Sequence, residues 1–177
     1  NLHAPQSGGV DQMGNFTPIS GDFTKFNFAT GLTTTSATDW DIAFRATTIV
    51  VNGGVSYGAT DEPARNGNGA VYIASSTTMA SVTEVNTSLL TQDTTSGYAI
   101  ATGSGNGWYT HQPNPINLIS PTAGKILVIK THDGKYAKVE ILSYYKDSPA
   151  SPDSLTDESR YYTFNYVYQP NDGVITF

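Results

Sequence analysis

The clearest pattern in the chain is alternation. Apolar side chains stand at every second position in Trp40-Asp41-Ile42-Ala43-Phe44-Arg45 and again in Ala137-Lys138-Val139-Glu140-Ile141. A period of two sends successive side chains to opposite faces of a strand, so both segments predict half-buried β-strands. Tyr162, Phe164, Tyr166 and Tyr168 repeat the pattern with aromatic rings and predict a last long strand over 161–168. Phe23, Phe26 and Phe28 mark a further strand, and Val71-Tyr72-Ile73 a short one. Ile49-Val50-Val51 is a β-branched run closed by the turn signal Asn52-Gly53-Gly54. Ile126-Leu127-Val128-Ile129 leads to Asp133-Gly134, and strand-like sequence resumes from Tyr136 to Tyr145. Asp-Gly between two such runs predicts a hairpin with a type I′ turn, in which both central residues take positive φ.

The segments between these strands are polar. Residues 52–69 form a long Gly-rich loop, and long loops in compact domains are often functional. Residues 74–97 are rich in Ser and Thr, with isolated Met79, Val82, Val85, Leu89 and Leu90, and leave room for one short helical turn. Gly103, Gly105 and Gly107 punctuate a turn before Trp108-Tyr109, and 146–159 is a Pro, Ser and Asp loop. Residues 1–21 read as a flexible lead-in rich in Gly, Pro and Ser. Residues 22–177 then form one all-β domain of mostly antiparallel sheets, with no internal repeat.

Composition narrows the function. Net charge is −6 with only nine Lys and Arg in 177 residues, a poor match to a phosphate backbone, so no nucleic acid is expected as partner. The absence of Cys excludes disulfides, thiolate nucleophiles and Cys-based metal sites. The longest aliphatic run, Ile126 to Ile129, is far short of the ~20 residues of a membrane helix. A chain that starts at Asn1 fits a trimmed mature form.

The catalytic motifs are weak. Gly54-Val55-Ser56-Tyr57-Gly58 matches the G-x-S-x-G elbow, but the elbow needs a helix next, and Pro63, Gly67 and Gly69 follow instead. The Gly103-x-Gly105-x-Gly107 run lacks the βαβ context of a dinucleotide site. Asp39 and Asp41 flank Trp40 on one strand face and mark a strand start near the surface rather than an acid–base pair. No nucleophile–base pair stands out, so the chain is not expected to be an enzyme. Of the three His, His3 lies in the lead-in, His132 precedes a hairpin turn and reads as solvated, and His111 follows Trp108-Tyr109 in a Pro and Asn rich loop. Their spacing makes no zinc site, but a loop His with a thioether elsewhere suits haem iron. Each also has a plain reading, His111 as a loop residue and Met79 as a gap filler.

Several stretches together resemble the HmuY family of haem-binding bacterial surface lipoproteins. They are Trp40 to Arg45, Asn68-Gly69-Ala70-Val71-Tyr72, Trp108, Gly134 to Tyr145, and Tyr162 to Tyr168, in that order. The resemblance covers residues 22–177. It implies an all-β hemophore-like protein of the outer membrane of Bacteroidota, lipid-anchored at the surface or secreted. It implies haem (iron protoporphyrin IX) as cofactor, host haemoproteins as donors, and an outer-membrane haem receptor as recipient. The alternative is a surface binding module of the same fold that takes a glycan or a protein instead of haem.

The family's ligands do not carry over residue by residue. The stretch between Val85 and Trp108 looks short against the best-known type, and the position of one ligand His reads here as Pro113, two residues after His111. Among iron-ligating residue types, Met13 and His3 lie in the lead-in and His132 at the turn. That leaves Met79, His111 and the tyrosines; a Tyr phenolate can ligate ferric iron, but most Tyr here alternate within strands and read as packing residues, so Met79 and His111 are the expected axial ligands, with Tyr109 as an aromatic neighbour.

Overall fold

The computed structural model describes residues 1–11 and 13–177. Two antiparallel sheets face each other. The larger has the order β1-β13-β12-β11-β8, built from β1 (Leu2–His3), β13 (Ser159–Gln169), β12 (Tyr136–Tyr145), β11 (Ile126–Lys130) and β8 (Ala70–Ala74). The smaller has the order β5-β4-β6-β7, from β5 (Leu32–Thr34), β4 (Thr24–Asn27), β6 (Ile42–Arg45) and β7 (Thr48–Val51). Two separate hairpins complete the fold, β2 (Ser7–Val10) with β3 (Phe16–Ser20) and β9 (Tyr109–Gln112) with β10 (Leu118–Pro121). The one helical element among the described residues is a 3-10 turn at Thr87–Leu89.

The main core lies between the sheets. Phe26, Ile42, Phe44, Ile49 and Val51 of the smaller sheet meet Leu127, Ile129, Val139 and Tyr162 of the larger. Strand β11 buries both of its faces: Leu127 and Ile129 point into this core, while Ile126 and Val128 face a second cluster with Val82, Val85 and Tyr136. That is why Ile126–Ile129 is a continuous apolar run rather than an alternating one. A third cluster of Phe23, Trp40, Ala43 and Val50 backs the smaller sheet, so Trp40 does not share a face with Ile42 and Phe44 as its spacing suggests.

Two further readings change. The start of the lead-in is held, because Leu2 and Ala4 are buried in the main core and β1 pairs with Tyr161 and Tyr162. The β11–β12 hairpin is not a type I′ turn. Gly134 takes φ +91 but Asp133 does not take positive φ, and Thr131 and Lys135 close a three-residue loop through the Thr131 N–H. A turn followed by a left-handed glycine is the geometry of a three-residue hairpin with a bulge.

Candidate functional site

The β9–β10 hairpin carries His111 and Tyr109. His111 lies within a strand, directly opposite Ile119, and not in a loop. Positions 109 and 111 share a strand face. Tyr109 is buried in the main core against Trp108, with ring centroids 4.9 Å apart, while His111 projects past the core rim and is exposed. The hairpin is anchored at its base by the Trp108 Nε1–H, which donates to the Thr47 carbonyl at 2.9 Å. A second anchor is the Ile119 N–H, which donates to the Tyr145 hydroxyl at 3.1 Å.

His111 therefore stands on a fixed backbone with an exposed ring. Its N–H donates to Ser104 Oγ at 2.8 Å, and its Nε2 lies 2.8 Å from Asn117 Oδ1. A cleft of about 240 Å³ opens beside the ring, lined among others by Ile119, Tyr144, Tyr145 and Arg160. Burial pushes the Tyr144 and Tyr145 hydroxyls up, and both rings serve as packing walls of the cleft. At the mouth, the Ser154 hydroxyl donates to the Ile116 carbonyl, which brings the loop of exposed Leu155 to exposed Ile116.

Met79 is elsewhere. It packs half-buried against the second cluster, on the face of the larger sheet that carries Ile126 and Val128. Tyr109 belongs to the core on the other face. Tyr109 and His111 share a strand face, but Tyr109 is buried in the core while His111 lines the cleft, and Met79 lies on the far side of the larger sheet from both.

His132 is not solvated. Its Nδ1 lies 2.7 Å from Asp41 Oδ1 and its Nε2 3.3 Å from Asp39 Oδ1. Buried Asp41 also accepts from the His132 N–H at 3.0 Å and the Phe28 N–H at 2.7 Å. These groups with Asp133 form a compact set of ligand-type atoms, but both Asp41 oxygens are already bonded within the protein. Their work is to fasten the β11–β12 hairpin to β6. A second buried polar group, Arg65 with Glu62 and Asp93, clasps the long loop 52–69. Neither arrangement is visible in local sequence, since the partners lie 91 and 28 residues apart.

The model of the HmuY protein family matches residues 20–166, and the chain belongs to that family. No curated protein matches it. The family is one of haem-binding, non-enzymatic proteins, typically extracellular or surface-associated. No helix among the described residues is long and apolar enough to cross a membrane.

Proposed function

We propose that the protein is a hemophore-like haem carrier of the outer-membrane surface that takes haem from host haemoproteins and passes it to an outer-membrane receptor. Family membership supports haem as the ligand. The observation that supports the place is His111, an exposed imidazole on an anchored hairpin beside an aromatic cleft. Haem iron takes one or two axial ligands, commonly His or Met, and His111 is free to turn from Asn117 toward it. Tyr144, Tyr145 and Ile119 offer apolar cover, and the Arg160 guanidinium offers a cation for a propionate. Tyr109 supports the strand from beneath.

A cleft of 240 Å³ is small beside the ~300–1,000 Å³ of most ligand pockets, so it covers one edge of a macrocycle and leaves the rest open. An open haem is suited to transfer. Met79 joins His111 on one iron only if the segment around it leaves the larger sheet, so the proposal rests on His111 with Met79 as a packing residue. The second reading, a surface module for a glycan or protein, is favoured by a groove of about 880 Å³ of mixed character, lined among others by Asp22, Phe23, Lys25, Asp61, Pro63 and Thr33 to Thr35. Absorbance titration with ferric and with ferrous haem separates the two. A saturable Soret change at one equivalent supports the carrier, and no change in either state leaves the module.

A further inference from the structure

The loop that joins β12 to β13 reaches the mouth of the His111 cleft, and its far end is a self-contained turn. The Asp153 carboxylate accepts from the Leu155 N–H, and the Asp157 carboxylate accepts from the Asp153 N–H, both at 2.8 Å. The Asp157 N–H donates to the Asp153 carbonyl, also at 2.8 Å. A turn whose bonds are its own can move as one piece. At its root the Lys146 N–H donates to the Glu158 carbonyl at 2.9 Å, and the two side chains form an ion pair at 2.7 Å.

Both ends of the loop carry unusual backbone. Asp147 and Ser148 take φ +59 and +51 at one end, and Arg160 takes φ +71 at the other. None of the three is glycine, and left-handed backbone is uncommon for other residues. Sparsely populated conformations of this kind gather at clamps and switch regions. The strands beneath are irregular as well, with breaks in register between Ile141 and Ser143 and between Ser143 and Tyr145.

The loop is fastened lightly. Among the described residues one hydrogen bond ties 149–157 to another part of the fold: the Ser154 hydroxyl donates to the Ile116 carbonyl, in the turn of the β9–β10 hairpin. Ser154 is also part of the cleft wall, so swinging it away opens the 240 Å³ space on that side. The side chains at this latch are apolar and face water, Leu155 at 81% exposure and Ile116 at 54%. A porphyrin edge that protrudes from the cleft between them would give both an apolar surface to cover.

We propose that residues 149–157 are a lid on the His111 cleft. It swings off the Ser154–Ile116 latch to admit haem, pivoting at 147–148 and 158–160, and then closes Leu155 and Ile116 over the porphyrin edge. The lid rests on the reading that haem binds beside His111, and it adds Leu155 and Ile116 to the residues that hold the ligand.

The test uses the intact protein with Ser154→Ala and Leu155→Ser. Both positions lie in a surface loop outside the core clusters, so both variants keep the fold. NMR relaxation dispersion without haem reads the motion of the loop itself. Stopped-flow binding of haem reads the opening, and loss of haem to excess apomyoglobin reads the closing. The expected result is slow exchange confined to 147–160 in the parent. Haem association should be faster on the order of fivefold in Ser154→Ala, the scale of one neutral hydrogen bond. Haem loss should be faster on the order of tenfold in Leu155→Ser, the scale of one leucine returned to water. A loop without exchange, or either variant with the parent's rates, overturns the lid while the parent's Soret change leaves the haem site standing. No Soret change in the parent overturns the haem site, and the lid falls with it.

Discussion

The Lys138 ammonium group donates to the carbonyl of Met79 at 2.7 Å and to that of Val82 at the same distance. Lys138 is buried, and burial pushes its pKa down; its remaining contact is the Phe177 ring, 4.9 Å away. One lysine thus pins both the Met79 segment and the chain's last residue to the outer face of the larger sheet. Lys138→Met leaves two carbonyls without a donor and should cost about 2–3 kcal/mol. Denaturant unfolding reads the loss. Native-state amide exchange should quicken over residues 79–85 and stay unchanged in β9 and β10.

The Arg65 clasp should cost more to break. Its guanidinium donates to Asp93 Oδ2 at 3.0 and 3.2 Å and to Glu62 Oε1, and all three side chains are almost wholly buried. Arg65→Met strands two buried carboxylates, and removing one partner of a buried ion pair typically costs about 3–5 kcal/mol. Unfolding of that variant at neutral pH should show a loss of this size.

The same clasp gives the protein an acid response. Burial pushes the Glu62 carboxyl up, but bonds from Ser56, Ala59 and Tyr57 and the charge of Arg65 outweigh it and hold the group below its ordinary value. A carboxylate held low in the fold stabilises above the ordinary 4.5, and that contribution is lost as pH falls through the folded value. Asp93 acts in the opposite sense, since burial dominates and pushes it up. Glu62→Gln should therefore flatten the fall of stability with pH below about 4.5, measured by urea unfolding across a pH series. An unchanged slope in that variant would remove Glu62 from the acid response.

Gly53 should tolerate no side chain. A Cβ there would lie 1.9 Å from the Gly69 carbonyl oxygen, a backbone atom, at the point where the two ends of the long loop meet through the Gly53–Asn68 bridge. Gly53→Ala should lower the melting temperature by several degrees, consistent with a loss of about 1–3 kcal/mol from overpacking.

Strands were legible wherever the period of two ran against polar neighbours, as in Ala137 to Ile141 and Tyr162 to Tyr168. The β9 strand was hidden because Pro113, Asn114 and Pro115 follow it closely and the composition reads as loop. Tyr109 and His111 are two residues apart and so share a face in that strand, but the strand itself was not legible. The position of Met79 was not recoverable, because which sheet face a polar segment covers depends on distant Lys138 and Ile126. His132 shows the same limit: beside a tight turn it reads as solvated, and only the fold brings Asp41 beneath it.

The most direct test of the haem site compares His111→Ala with Met79→Ala in haem titrations followed by absorbance, under oxidising and reducing conditions. Met79→Ala should keep the parent Soret and Q-band positions. His111→Ala should lose them, with affinity weakened on the order of tenfold or more, as expected when an axial ligand is removed. A His111→Ala protein that binds haem with the parent spectrum and affinity would contradict the placement of haem at the β9–β10 cleft.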